Sequence, residues 1–268
     1  MIVAFRRRIL DRFVLRPTRN ELDIGSKQRR WFQSGRHRDE YFVSETTPSE
    51  SNDSWGGPEL LVIKFPGTAG RAERATGWPG QLLENVHVRL CTWNAPGYGR
   101  STGRASLSNI PARARPFVSH LLDQIDPKRT RVWLTGNSLG CATATYLASE
   151  FGDRLSGLIL RNPPPLIETV KGVADRYPMG RLAHAIAESL PPEMNLHQSA
   201  PKVTVPTVML QSELDELVPP ELQEGVFDRL PDPKRRVLLK GIGHAGLINE
   251  DHQQDVDEVI GWLWQQSR

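Results

Sequence analysis

Six short apolar runs recur along the chain: LLVIKF (residues 60–65), VHVRLCTW (86–93), RVWLTG (131–136), LSGLIL (155–160), TVMLQ (207–211) and RRVLLK (235–240). They are rich in Val, Leu and Ile. Runs of this kind belong to strands covered on both faces, since a half-exposed strand alternates apolar and polar positions. Apolar positions at helical spacing mark LGCATATYLASE (139–150) and EDHQQDVDEVIGWLW (250–264) instead. The alternation of strand and helix patterns predicts an α/β fold, a mostly parallel sheet with helices on both faces.

Two regions break the rhythm. In residues 1–57, RRWF and EYFVSE predict two antiparallel edge strands joined by the polar turn QSGRHRD, and TPSESNDSWGGP (47–58) reads as a loop. This N-terminal segment precedes a core of residues 58–268. Within the core, residues 163–206 begin with Pro163, Pro164 and Pro165 and hold two weak helical patterns, around 167–176 and 180–190. They are expected to form a small lid insertion above the strand ends. Its apolar residues, Ile167, Val170, Tyr177, Met179, Leu182 and Ile186, either line an apolar site or form the lid's own packing core.

The first residues, MIVAFRRRILDRFVL, are basic and amphipathic. On a helix Ile2, Phe5, Ile9 and Phe13 share one face, with Arg6, Arg7, Arg8 and Arg12 largely elsewhere. Residues 1–15 therefore suit peripheral contact with a membrane surface, or docking on the protein's own body. The arginines fall inside the apolar stretch and no small-residue cleavage site follows, unlike a secretory signal. No apolar run reaches the roughly 18 residues of a membrane span.

Composition changes this picture little. A chain of 268 residues with 38% hydrophobic content buries one sizeable core. The net charge of +3 comes from 34 basic and 31 acidic residues, a mixed-sign surface that does not argue for nucleic acid. Cys91 and Cys141 lie among apolar neighbours, too few for a disulfide framework and without metal-ligand spacing. Two buried thiols suit a cytoplasmic location.

The chemistry begins at Gly136-Asn137-Ser138-Leu139-Gly140, where a predicted strand meets a predicted helix. A nucleophile elbow needs that context: a serine on a strained corner, flanked by glycines where strand and helix close tightly. The alternative is a plain turn serine. A serine hydroxyl needs a base, and His244 in KGIGHAG follows the last predicted strand on a glycine-flanked loop. The base needs an acid to fix its tautomer. The run MLQSELDELVPP offers Asp215, with Glu213 in reserve and Glu216 as a solvated charge. The order Ser, Asp, His along the chain is the one such triads follow on this type of sheet. Acyl transfer also needs oxyanion donors. These are assigned to the N–H of Leu139 and, in KFPGTAGRAER, to that of Thr68, with Ala69 as the neighbouring alternative. The Thr68 hydroxyl is a further candidate donor.

With FPGTAG, NAPGYGRSTG (94–103), GNSLG, LDELVP and GIGHAG in this order, the chain from about residue 58 onward resembles the α/β-hydrolase superfamily. It looks most like its small-lid intracellular members of the serine esterase, lipase and acyl-thioesterase kind. The segment FVLRPT (13–18) also resembles the lead-in of related hydrolases. The chain departs from the family at Pro66, where a His often precedes the oxyanion glycine. The resemblance implies cleavage of a small-molecule acyl ester or thioester, with no metal or organic cofactor. The rival readings are a non-catalytic binding protein on the same fold and a peptidase or other hydrolase of the superfamily.

Overall fold

The computed structural model describes residues 1–47 and 56–267; of the loop expected over 47–58, residues 48–55 lie outside them. The strands are β1 (Gln28–Ser34), β2 (His37–Thr46), β3 (Leu60–Phe65), β4 (Val88–Trp93), β5 (Arg131–Asn137), β6 (Gly157–Arg161), β7 (Thr207–Ser212) and β8 (Lys234–Leu239). They form one sheet in the order β1-β2-β4-β3-β5-β6-β7-β8. β2 runs antiparallel to both β1 and β4, and every other pairing is parallel. The helices are α1 (Ile2–Val14), α2 (Asn109–Leu122), α3 (Leu139–Phe151), α4 (Leu166–Ala174), α5 (His184–Ala187), α6 (Leu196–Ser199), α7 (Pro220–Phe227) and α8 (Glu250–Gln266).

All six apolar runs are strands within two residues of their expected ends; five are buried on both faces, as their composition reports, while β8 lies at the sheet edge and is largely exposed. Leu61, Ile63 and Phe65 face the α2 and α3 side of the sheet, and Leu60 and Val62 face the α8 side. The first hairpin differs from expectation. Of its two strands, β1 alone is an edge strand; β2 lies inside the sheet, between β1 and β4. The polar turn shrinks to Gly35-Arg36, since pairing continues to Ser34 opposite His37, with Gly35 at φ +56°. The cause is buried charge that reads as turn in a sequence. Asp39 and Glu40 are fully buried, Arg113 Nε donates to Asp39 at 3.0 Å, and Arg29 lies 2.9 Å from Glu40.

α2 carries Pro111 and Pro116, which obscure it in the sequence. Pro111 falls in the first turn, where the missing N–H had no partner to lose. Pro116 forfeits an interior hydrogen bond, at a cost of about 3 kcal/mol. Burial of Ile110, Ala114, Phe117, Val118, Leu121 and Leu122 offsets it, with Phe117 stacked on Trp93. The span 163–206 is packed rather than perched. Met194, Leu196 and Ala200 are fully buried, and Ile167, Val170 and Ile186 pack against the same core, whereas Tyr177, Met179 and Leu182 project into solvent. α1 docks through Leu10 and Val14, and Arg7 Nε donates to the Ser189 carbonyl at 2.9 Å. The face expected to be apolar points outward at Ile2, Phe5 and Phe13. Both cysteines are free and buried; burial pushes the Cys91 thiol up to about 12.

Candidate active site

Between β5 and α3 the backbone turns at Ser138, with φ 50° and ψ −122°, a region that side chains rarely occupy and that is held only where the surroundings enforce it. The surroundings do so by close approach. A Cβ on Gly140 would lie 2.0 Å from the Phe65 carbonyl oxygen, and one on Gly136 would lie 2.5 Å from Cys141 Cα. Glycines at both positions let strand, helix and the loop after β3 converge. That loop passes against the serine itself: a Cβ on Gly67 would stand 3.3 Å from Ser138 Cβ.

The structure brings Ser138, His244 and Asp215 into one hydrogen-bonded line. His244 Nε2 is 2.9 Å from Ser138 Oγ, and His244 Nδ1 is 2.7 Å from Asp215 Oδ2. Asp215 is 3% exposed. Its Oδ1 accepts from the N–H groups of Leu217 at 3.0 Å and Val218 at 2.8 Å, and its Oδ2 also accepts from Gln223 Nε2 at 3.1 Å. A carboxylate held by so many donors stays an acceptor, so the proton between it and the ring belongs on Nδ1. Nε2 then faces the serine as an acceptor. Glu213 is exposed and accepts from the Gly241 N–H at 2.8 Å; Glu216 is exposed.

Residues without a sequence signal hold this line in place. Asn162, buried and at φ 50°, donates through Nδ2 to the His244 carbonyl at 3.0 Å and accepts from the Ser212 N–H at 2.9 Å. Arg161 donates to the Gly246 carbonyl. The histidine loop is thereby tied to the ends of β6 and β7. Gln223 is fully buried behind Asp215. Its role follows from burial against a residue eight positions away, which no local pattern records. The other histidines sit elsewhere: His37 opens β2, His87 precedes β4, His120 and His252 lie in α2 and α8, and His184 and His197 in α5 and α6.

On the oxyanion side, the Leu139 N–H stands at the first position of α3, where a helix leaves its amides unpaired. The amides of Thr68 and Ala69 have no hydrogen-bond acceptor among the described residues. The Thr68 carbonyl accepts from Tyr98 Oη at 2.7 Å and from the Arg16 N–H at 3.3 Å. Its hydroxyl is not the extra donor expected from the sequence: it donates to the Val14 carbonyl, and a hydroxyl has one proton to give. On the α3 side of this loop lies an apolar hollow lined by Phe65, Trp93, Tyr98, Ile110, Leu139 and Thr143. On the opposite face of the sheet a second groove, which holds Lys64, Arg74 and Arg161 among largely apolar walls, reaches Gly67 and Asn137.

Comparison with known proteins agrees with this architecture. The family profile described as alpha/beta hydrolase fold matches residues 61–194, half of the chain. The chain belongs to the α/β-hydrolase fold family. An uncharacterised protein of Mycobacterium tuberculosis (strain H37Rv) is 30% identical over 192 residues, which are 70% of this chain and 63% of that protein. The chain thus spans less than two thirds of that relative's length. The protein named family of serine hydrolases 2, from Saccharomyces cerevisiae, is 26% identical over 178 residues, 64% of this chain and 73% of its own. Among solved structures, Est1E from Butyrivibrio proteoclasticus with ferulic acid bound matches with a TM-score of 0.64, over 89% of this chain and 98% of that chain, at 16% identity. That likeness is one of fold.

Proposed function

We propose that the protein is a serine hydrolase that cleaves a small carboxylic ester or thioester through an acyl-enzyme on Ser138. The observation that carries this reading is the unbroken line from Ser138 Oγ through the His244 ring to the buried Asp215 carboxylate. Ser138 Oγ attacks the carbonyl carbon while His244 Nε2 takes its proton. The carbonyl oxygen becomes an oxyanion held by the Leu139 and Thr68 amides, where one donor is worth about 3 to 4 kcal/mol of barrier. The tetrahedral intermediate collapses, breaking the bond to the leaving oxygen or sulfur, which receives the proton from His244. Water repeats the sequence: His244 takes its proton, its oxygen attacks the acyl carbon, and Ser138 Oγ leaves with the proton returned. The small apolar hollow on the α3 side favours a short acyl chain there. The kinship with a serine hydrolase family supports the same class.

Ser138→Ala is expected to abolish both hydrolysis of p-nitrophenyl butyrate and labelling by a fluorophosphonate, while circular dichroism stays native. Full labelling of the Ser138→Ala protein would remove Ser138 as the nucleophile. A wild-type protein that neither labels nor turns over any ester would favour a binding protein on this fold.

A second reading concerns where the substrate is met. Ile2, Val3, Phe5 and Phe13 are all more than half exposed on α1, beside the exposed Arg8 and Arg12. An outward apolar face flanked by cations suits an anionic lipid surface, so the protein works at a membrane to which α1 attaches it. Among the described residues no helix is long and apolar enough to cross one.

A further inference from the structure

The groove on the α8 face contains a polar row laid across the ends of adjacent strands. Lys64 on β3 is paired with Thr135 on β5, and Asn137 on β5 is paired with Arg161 on β6. Strand periodicity puts these side chains on the same face as Leu60, Val62, Trp133 and Ile159, which pack beneath α8. Toward the nucleophile end, the apolar stripe gives way to two cations. Arg74 and Trp78 join the lining from the loop after β3, and Leu247 and Ile248 add an apolar wall.

The groove holds cations without a carboxylate to match them. Lys64 Nζ donates to the carbonyls of Thr76 at 2.9 Å and Trp78 at 2.5 Å, which uses two of its three N–H groups. Among the described residues no carboxylate pairs with Lys64, Arg74 or Arg161. Arg161 Nε and Trp78 Nε1 are buried and have no acceptor at all. Idle buried donors are costly and rare in folded proteins. Elsewhere this chain neutralises its buried guanidiniums: Arg71, at the edge of the same groove, is paired with Glu73, and Arg113 with Asp39. The groove also reaches Asn137, the residue before the nucleophile, while Ser138 N–H donates to the Arg161 carbonyl at 2.8 Å. The reacting centre and the cationic row share two neighbouring strands.

We propose that this groove binds a phosphate or carboxylate group carried by the leaving portion of the substrate. An anion supplies several acceptor oxygens to Arg161, Trp78 and Lys64 and a counter-charge to all three cations. The leaving portion is assigned to this face because the apolar hollow on the opposite face takes the acyl chain. That last assignment rests on the hydrolase reading above; the anion site itself does not.

The test separates the two. Binding of glycerol 3-phosphate, glycerol and inorganic phosphate is measured by titration calorimetry on wild-type and Ser138→Ala proteins, with Arg74→Gln and Arg74→Glu as graded variants on an exposed side chain. Glycerol 3-phosphate is expected to bind both the wild-type and the Ser138→Ala protein and glycerol to bind neither. Arg74→Gln should weaken binding about tenfold and Arg74→Glu further, as loss of a charge-assisted contact predicts. In kinetics, butyryl glycerol 3-phosphate should exceed monobutyrin in kcat/KM by tenfold or more, and Arg74→Glu should erase that preference. No binding of glycerol 3-phosphate, or binding that neither Arg74 variant changes, overturns the site. Inorganic phosphate binding as tightly as glycerol 3-phosphate overturns the assignment to a leaving group. Binding that follows the Arg74 series without cleavage of either ester upholds the anion site and overturns the hydrolase reading.

Discussion

At the scale of single residues, the site is built from side chains whose stability and use are at odds, and Lys64 is the clearest. Burial, reinforced by the charge of Lys27, pushes its ammonium down to about 8 from the ordinary 10.5. The folded state therefore gives up this proton more readily than the unfolded chain. Between pH 8 and 10.5 the unfolded chain binds more protons, so this residue's contribution to stability rises with pH across that window. Below pH 8 the folded protein bears the full cost of a buried cation. Lys64→Met, which keeps the stem and removes the charge, is expected to be at least as stable as wild type at pH 7. The gap should narrow as pH climbs from 8 to 10.5, read from urea unfolding of both proteins at each pH. A variant that is less stable at every pH would mean that the bonds to the Thr76 and Trp78 carbonyls outweigh the charge. The same scale shows what a sequence can carry. Ser138, Asp215 and His244 stand out because each follows a strand beside turn-forming residues, a local pattern. Gln223, Asn162 and the true partner of the Thr68 hydroxyl do not stand out, because each owes its role to a contact with a distant or buried group.

At the scale of elements, α1 and the chain behind it have two separable jobs. Its outward face carries Phe5 and Phe13, while its end secures the loop after β3: the Val14 carbonyl takes the Thr68 hydroxyl, and the Arg16 N–H meets the Thr68 carbonyl. Further on, Arg71 donates to the carbonyls of Thr18 and Asn20. Deleting residues 1–18 is therefore expected to cut hydrolysis of a short soluble ester by about tenfold or more even with no lipid present, as displacement of one oxyanion donor would. Phe5→Gln combined with Phe13→Gln should leave that rate near wild type and lower sedimentation with vesicles of anionic lipid. If the deletion leaves the soluble rate intact, the N-terminal segment does not position the loop. If the double substitution leaves vesicle binding unchanged, the outward face does not meet a membrane. The amphipathic pattern of this helix was legible, but which stripe docks was not, since Leu10 and Val14 are apolar like the face they leave exposed. Strands on both sides of Ser138 were legible for the opposite reason: burial on both faces leaves no choice of side. α2 was hidden by prolines that its burial outweighs, and the interior place and early start of β2 by acids whose partners lie in other elements.

At the scale of the whole molecule, the proposed reaction and anion site put the two halves of a substrate on opposite faces of the sheet. Ser138 stands at the crest where β5 ends, with the apolar hollow of Trp93, Leu139 and Thr143 on the α2 and α3 face and the cationic row on the α8 face. Side chains on opposite faces of one strand do not touch, because successive residues point opposite ways. Substitutions on the two faces should then act independently on selectivity, as distant sites do. Thr143→Leu adds bulk to a position that is 2% exposed, in a hollow with little room to spare. It is expected to lower the ratio of kcat/KM for p-nitrophenyl hexanoate over acetate by about tenfold, an overpacking penalty of 1 to 3 kcal/mol falling on the longer chain alone. The preference for a phosphate-bearing leaving group should be unmoved by it, and the Arg74→Glu change should leave the chain-length ratio unmoved in turn. The double variant should show the product of the two effects. Coupling beyond about 0.5 kcal/mol between them would mean that one pocket serves both parts of the substrate, and that the sheet does not divide acyl group from leaving group.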